Sequence, residues 1–502
     1  MMSALYTGTT GMKSHSVGMS SIANNIANIN TLGFKKAMTM YSDNISQTVS
    51  SASANGITEI SQMGMGVSVL TNRTMHQQGS FEQGSAPTDM AIQGKGFFGV
   101  TKNGATQYTR AGNFRFTKEG TLIDPNEFAL LGYQVTNGQT SNELTPVSLD
   151  FSQGGQGYMQ PKATASVTLI ENLGTRTQNT RNSSNPVFSL TSAWDGKQAP
   201  PLSESQYAHK TAATIYDASG NPQALNAFYD YVGTFDGKQV FQYVMGMDPS
   251  LDASGNAGTS AAGMLAAGTL TFSSTGQLED VTMFTPPTGG DASNMASWVP
   301  ASFDEAGNPA FSANFSGSGA QNIALNFGLE MNGTWTKGFA NAAAINADPT
   351  ALYNGPARTP HADSTKSYSG SNATRMSNQD GHAAGFLEDL SVQSDGLVVG
   401  RYSNGETMDL YQIPVYRFIN EEGLRHEGGN RYTATVESGD AEVGMAGTEN
   451  YGTLQEAALE QSNVDLANEF AFMITTQRGF QMNSKIITTS DTMLQKALEL
   501  KR

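Results

Sequence analysis

The chain has 502 residues, a formal net charge of −16 at neutral pH and no cysteine. This length can bury more than one hydrophobic core, and the lack of thiols excludes disulfides, Cys-ligated zinc and cysteine nucleophiles. The acidic balance, without a basic cluster, argues against nucleic acid as a partner, and no apolar run reaches the roughly 18 residues of a membrane span, so membrane insertion is not expected.

An amphipathic helix is predicted from residue 3 to residue 29. Its apolar heptad positions are Leu5, Met12, Met19, Ile22 and Ile26. A seven-residue apolar repeat favours a helix that winds around another helix. Gly8, Gly11 and Gly18 each disfavour the helix by about 1 kcal/mol relative to Ala, so the helix is expected to be marginal on its own.

Short β-strands are predicted for most of the chain between its two ends, because Gly and turn residues interrupt short apolar runs. Residues 41–149 and 356–452 are expected to form one β domain from two chain segments. Residues 150–355 are expected to form an inserted β domain, of one or two subdomains.

The inserted region repeats an Asp-x-x-Gly-Asn pattern at 217–221, 252–256 and 304–308. An Asp at the start of a turn with Gly after it is typical of β-hairpins. All three segments are therefore predicted to be turns between neighbouring strands.

A second long helix is predicted at the C-terminal end. Thr453 and Glu456 form a T-x-x-E capping box, which marks a helix start, and the helix is expected to have roughly 45 residues. Its apolar seam comprises Leu459, Leu466, Met473, Phe480, Ile487 and Leu494, widened by Phe470 and Ile474. Residues 1–40 and 453–502 are therefore expected to pair as a coiled coil.

This seam is broader than a two-helix hairpin can bury, because Leu466, Phe470, Met473 and Ile474 together cover a wide stripe of the helix. The surplus favours packing against the same helices in other copies of the chain. An intramolecular hairpin with no wider role is the alternative, since heptads indicate helix packing but not the packing partner. The predicted fold class is mixed: long terminal α-helices forming a coiled coil, with nested all-β middle domains.

No motif indicates an enzyme or a metal site. Gly94-Lys95-Gly96 lacks the spacing of nucleotide-binding loops and is interpreted as a tight strand turn. The repeated Asp turns lack the spacing of a calcium loop, and the six histidines are scattered singly. No catalytic residue, cofactor or metal is expected.

Both ends of the chain resemble the bacterial flagellar rod and hook protein family. Residues 89–100 are similar to its D-x-A-I-x-G-x-G-F-F segment. The signature residues near the two ends are Asn24, Asn25, Ala27, Asn28, Thr31, Gly33 and Phe34, and Asn463, Asp465, Glu469, Gln477 and Asn483. Rod members of the family lack a large inserted β region and hook members carry one, so the resemblance is to the hook members.

The resemblance implies a structural subunit that polymerises with itself into a hollow, curved tube, the universal joint between flagellar rod and filament. It implies that the terminal helices line the channel of this tube, that residues 41–149 and 356–452 form the inner β domain, and that residues 150–355 form the outer one. It implies further partners: the distal rod protein, the hook cap, the hook-filament junction protein and the flagellar export apparatus. It also implies an extracellular position in the flagellum, reached by type III export without a cleaved signal peptide. A distal rod subunit and an exported surface adhesin remain alternative functions.

Overall fold

A computed structural model of the chain describes residues 2–52, 58–136, 138–151, 155–174, 180, 182, 184–289, 291, 293–304, 306–331, 340–347 and 358–499. The α-helices are α1 (Met2–Ala27), α2 (Ser189–Ala193), α3 (Ala342–Ala347) and α4 (Leu466–Glu499). In the described part of the chain, no helix is both long enough and apolar enough to cross a membrane.

The strands form most of the remaining regular secondary structure. The first group is β1 (Ala37–Asp43), β2 (Gln47–Ala52), β3 (Thr58–Met63), β4 (Val67–Thr74), β5 (Phe81–Gln83), β6 (Met90–Gln93), β7 (Phe98–Lys102), β8 (Ala105–Thr109), β9 (Arg115–Phe116), β10 (Leu122–Ile123), β11 (Ala129–Thr136), β12 (Gln139–Pro146) and β13 (Tyr158–Met159). The second is β14 (Ser166–Asn172), β15 (His209–Tyr216), β16 (Pro222–Phe235), β17 (Lys238–Gly246), β18 (Met264–Phe272), β19 (Leu278–Thr285), β20 (Val299–Pro300), β21 (Ser302–Phe303), β22 (Pro309–Phe315), β23 (Gly319–Asn326), β24 (Leu329–Met331), β25 (Arg358–Pro360) and β26 (Ala373–Gln379). The third is β27 (Gly385–Val392), β28 (Leu397–Tyr402), β29 (Thr407–Gln412), β30 (Pro414–Arg417), β31 (Arg425–Gly428), β32 (Arg431–Thr433), β33 (Glu442–Met445), β34 (Thr453–Glu456) and β35 (Ala458–Glu460).

The chain divides into two compact units. Unit 1 comprises Met1–Tyr158 and Leu387–Arg502, and unit 2 comprises Met159–Phe386. Helices α1 and α4 pack together in unit 1. The predicted mixed fold, with paired terminal helices and β-sheet middle regions, is confirmed.

The main sheet of unit 1 joins strands that are far apart in sequence. Its order is β27-β28-β29-β11-β7-β8-β32-β31. Tyr133 of β11 pairs with Gln412 of β29, and Tyr108 of β8 pairs with Tyr432 of β32. Alternate residues of β28 point inward, as the two-residue period of a strand requires, so Val398 is buried in the core.

The described part of unit 2 contains two large β-sheets, the two-stranded sheet β24-β25 and the short helices α2 and α3. One sheet has the order β21-β22-β23-β14-β26 and the other β15-β16-β17-β18-β19-β20. Phe241 and Tyr243 of β17 belong to the core that includes residues of both sheets. Val240 and Val244 point to the opposite face, where Leu190 of α2 joins their cluster. The longer sheet is therefore buried on both faces.

The C-terminal helix begins later than the capping box predicted. Thr453 to Glu456 form β34, which pairs with β6, and Leu459 lies in β35 opposite Glu82. A neighbouring strand edge satisfies this backbone, so the side chains of the T-x-x-E pattern are not needed as caps. The prediction that the helix starts at residue 453, with Leu459 in its seam, was wrong.

Asp465 is the residue that caps α4. Its Oδ1 accepts hydrogen bonds from the backbone N–H of Ala467 at 2.9 Å and of Asn468 at 3.2 Å. These are donors that a helix cannot satisfy internally. The helix has 34 residues in place of roughly 45.

The insert ends later than predicted. Strand β26 pairs with β14 inside unit 2, with Leu169 opposite Ser377, and unit 2 extends to Phe386. Residues 358–386 therefore belong to the insert, which corrects their assignment to the inner domain. The pairing partner of β26 lies about 200 residues earlier in the chain, and sequence periodicity gives no signal for such a distant pairing.

All three Asp turns lie between strands that pair with each other. Asp217 accepts hydrogen bonds from the N–H groups of Ser219 and Asn221 between β15 and β16, and Asp304 accepts from Asn308 between β21 and β22. Asp252 accepts from the N–H of Ser254 at 2.7 Å and from that of Gly263 at 2.8 Å, within the longer loop between the paired strands β17 and β18. The 252–256 segment is therefore a turn between neighbouring strands, as predicted, but it lies in a long loop and not in a tight hairpin.

Candidate assembly surface

Helices α1 and α4 approach closely because small residues line their contact. A Cβ at Gly8 would lie 3.0 Å from Ile487, and one at Gly11 would lie 2.7 Å from the side chain of Asn483. A Cβ at Gly479 of α4 would lie 2.7 Å from the ring of His15. The glycines that weaken α1 in isolation therefore allow it to pack against α4.

The predicted apolar seam is only partly covered. The half-buried members are Leu5, Met12, Met19, Ile22 and Ile26 of α1, and Met473, Phe480, Ile487 and Leu494 of α4. Leu466, Phe470 and Ile474 are exposed to 40%, 47% and 51%. The pairing of the two helices thus leaves part of the seam open to solvent.

Further apolar residues of α4 are exposed that the heptad analysis missed. They are Phe472, Met482, Ile486 and Met493. A heptad count follows one stripe, whereas placing each residue about 100° from the last would have located this second flank.

Asn25 joins α1 to the start of α4. Its side chain accepts from the N–H of Ala37 at 2.9 Å and donates to the carbonyl of Ala37 at 2.8 Å, so it pairs with the backbone as a strand would. Its amide also donates to Glu469 of α4 at 3.2 Å. Asn25 and Glu469 are both buried, so the contact fixes where the two helices meet.

Asn463 holds the segment that precedes α4. It accepts from the N–H of Lys36 at 2.8 Å and donates to the carbonyl oxygens of Met75 and Gln77. Three chain segments meet at this one side chain, which accounts for an asparagine at that position.

Glu460 is the centre of a buried ionic cluster that the sequence did not reveal. Its carboxylate lies 2.5 Å from Lys35 Nζ and 2.8 Å from Arg110 Nε, and it is 1% exposed. Burial lowers the pKa of Lys35, although the nearby carboxylate of Glu460 acts to raise it. Burial alone would raise the pKa of Glu460, but Arg110 and Lys35 hold it below its usual value.

Gly33 connects this cluster to α1. Its φ of +66° favours glycine, and a Cβ would lie 2.7 Å from the backbone nitrogen of Ala111. Its N–H donates to the carbonyl of Glu460 at 2.7 Å. Phe34, the next residue, is buried.

The remaining signature residues lie near the helix ends or on the surface. The amide of Asn28 donates to the carbonyl of Asn24, and the hydroxyl of Thr31 donates to Asn28 at 3.1 Å. Asn483 lies in the helix contact described above, whereas Ala27 and Gln477 are exposed.

A groove of about 280 Å³ opens beside the helix pair. Its α1 side is formed by Gly18, Ser21 and Ile22, its β1 side by residues 36–39 and Tyr41, and its α4 side by Glu469, Phe472 and Thr476. Lys36 lies 3.9 Å from Glu469 at this site. We call this concavity the groove.

Within the described residues, no group of three or more His, Asp or Glu side chains is arranged to hold a metal ion. Gly94 and Gly96 have φ of +109° and +132°. Arg110 donates to both of their carbonyl oxygens, so this segment is the tight turn that the sequence indicated.

Four family models match successive parts of the chain. The "Flagella basal body rod protein" model matches residues 5–35 and the "Flagellar hook protein FlgE/F/G D1 domain" model residues 91–159. The "Flagellar basal body protein FlaE D2 domain" model matches 189–382, and the "Flagellar basal body rod FlgEFG protein C-terminal" model 455–500.

Relatives match over the whole length. The chain is 29% identical over 524 residues to the flagellar hook protein FlgE of Borreliella burgdorferi, with 100% of both chains covered. The chain belongs to the flagellar hook protein family. A family member from Escherichia coli is 28% identical, over 99% of this chain and 100% of its own. The hook protein of Helicobacter pylori strain 26695 is 44% identical over 25% of this chain and 17% of its own.

Membership in the hook protein family confirms the resemblance seen in the sequence. It makes the chain a structural component of the flagellum and not an enzyme. The matches include the inserted region, at residues 189–382. The exposed apolar helix faces described above are therefore those of a hook-family protein.

Proposed function

We propose that copies of this chain assemble into the hollow, curved tube of the flagellar hook, which transmits torque from rod to filament. The observation that carries the proposal is the exposed apolar surface of α4. Its large exposed residues are Leu466, Phe470, Phe472, Ile474, Met482, Ile486, Met493 and Leu498. An apolar surface this extensive marks a site of interaction.

A repeated contact between two different surfaces of one subunit produces a helical polymer when it does not close into a ring. The terminal helices are the regions that would make this contact, because their apolar side chains are only partly covered in the single chain and remain partly exposed to solvent. Both terminal helices belong to unit 1.

Contacts with other flagellar proteins follow from the same proposal. The ends of such a tube would contact the distal rod protein, the hook cap and the hook-filament junction protein, and the chain would reach its extracellular place through the flagellar export apparatus. The Cys-free sequence suits this route, since no disulfide can form before export.

A substitution in the half-buried seam tests the proposal. We expect Phe480→Asp to abolish polymerisation, because a carboxylate would be buried at the helix contact without a partner, while unit 2 keeps its fold. Sedimentation and electron microscopy measure assembly, and the fluorescence of Trp194 and Trp298 reports on unit 2.

Thr489→Asp is the matched control, since Thr489 is exposed on the same helix. Tubes of normal length from the Phe480→Asp protein would contradict the proposed role of the terminal helices.

A further inference from the structure

One flank of α4 carries a continuous apolar stripe. Leu466, Phe470 and Ile474 are spaced four residues apart, which places them side by side along the helix. At 1.5 Å per residue the stripe is about 12 Å long. We call these three residues the ridge.

The groove has matching length and chemistry. Its α4 residues, Glu469 to Thr476, extend for about 10 Å along the helix. Met38, Tyr41 and Phe472 line it and remain 55%, 44% and 53% exposed. The groove thus presents apolar side chains that nothing within the described part of the chain covers.

The ridge of one molecule cannot enter its own groove. With about 100° between successive residues, the ridge lies roughly 130° around α4 from Glu469, Phe472 and Thr476. A contact between ridge and groove must therefore join two copies through different surfaces. Such a contact leaves a free groove on one copy and a free ridge on the other, so it can be repeated without limit.

The charge of the helices also permits a second copy to approach. In α4, Glu469, Asp491 and Glu499 are balanced by Arg478, Lys485 and Lys496, and the only Lys or Arg in α1 is Lys13, with no Asp or Glu. The full chain carries −16, so most of its negative charge lies outside these helices. Like-charge repulsion between copies is weakest where the groove and the ridge are found.

We propose that the groove between α1, β1 and α4 receives the ridge of α4 from a second copy of this chain. The inference rests on the proposed function and specifies the two surfaces that meet in the assembly. The partner is the chain itself, and the contact is head-to-tail.

Disulfide cross-linking tests the contact directly, because the natural chain has no cysteine. Met38→Cys protein is mixed with Ile474→Cys protein under conditions in which the wild-type chain polymerises, and copper-catalysed air oxidation follows. We expect at least tenfold more 38–474 heterodimer than 38–489 heterodimer from a matched mixture with Thr489→Cys protein.

A second pair of variants measures the contribution of the ridge. We expect Ile474→Asp to raise the critical concentration for polymerisation at least tenfold, and Thr489→Asp to change it less than twofold. If wild-type and variant chains polymerise alike, and the 38–474 product does not exceed the 38–489 control, the ridge-groove contact is refuted while the proposed function stands. A wild-type chain that does not polymerise refutes both.

Discussion

At the scale of single residues, Glu460 is the point where distant segments of unit 1 converge. It accepts from Lys35, from Arg110 and from the N–H of Gly79 at 2.8 Å. Two cations share one carboxylate, and backbone carbonyl oxygens take the remaining Arg110 donors, including those of Gly96 and Ile92. Removing the carboxylate would leave two buried cations with no counter-charge, whereas removing Lys35 would leave a neutral pair.

Because of this difference in charge, the two substitutions should destabilise unit 1 to different extents. We expect Glu460→Gln to destabilise unit 1 by about 3–5 kcal/mol. We expect Lys35→Met to destabilise unit 1 clearly less than Glu460→Gln does. Amide hydrogen exchange of peptides from β5 and β6 measures the free energy of unfolding.

Glu499→Gln is the control for these variants. Its partner Lys496 lies at the surface, so the expected cost is below about 1 kcal/mol. Equal effects of Glu460→Gln and Lys35→Met would show that the net charge of the cluster does not govern its stability.

His76 makes the stability of unit 1 depend on pH. Its ring packs edge-on against Phe97 and Tyr432, and burial together with Lys35 and Arg110 lowers its pKa to about 4. Between about pH 6.5 and pH 4 the unfolded chain binds a proton that the folded chain does not, so stability is fully present above that window and falls as the pH falls through it.

The protonation of His76 is expected to lower the free energy of unfolding of unit 1 by up to about 3 kcal/mol. We expect the His76→Phe protein to lose less stability than the wild type between pH 6.5 and pH 4, measured by exchange of β7 and β8 peptides. An identical pH dependence in both proteins would contradict the assigned role of His76.

At the scale of elements, α4 shows what a local pattern can and cannot predict. The heptads at Met473, Phe480, Ile487 and Leu494 predict helix correctly because the 3.6-residue period of a helix depends only on local sequence. The start of the helix was mispredicted because the residues around Thr453 form a strand with β6, more than 350 positions earlier. A cap and a strand compete for the same backbone donors, and tertiary contact decides which is formed.

Two substitutions separate the predicted cap from the observed one. We expect Asp465→Ala to destabilise the first turn of α4 by about 1 kcal/mol, seen as faster amide exchange at residues 466–470. Thr453→Ala should leave exchange at those residues unchanged. Faster exchange at residues 466–470 in the Thr453→Ala protein, without faster exchange in the Asp465→Ala protein, would contradict the cap at Asp465 and support a helix start near residue 453.

At the scale of the whole molecule, the sequence predicted the order of the helical and β regions along the chain better than the contacts between them. Terminal helices, short strands and an inserted β region follow from periodicity and turn residues. The ionic cluster at Glu460 and the pairing of Leu169 with Ser377 depend on contacts between residues far apart in the chain, for which a single sequence carries no periodic signal. The exposed flank at Phe472 was missed for a different reason, since it lies off the heptad stripe.

Electron microscopy of the purified, concentrated wild-type chain tests the central claim most directly. The proposed function predicts hollow tubes, curved along their length, with the terminal helices nearest the channel. Straight rods, closed rings or dispersed single chains under polymerising conditions would contradict it.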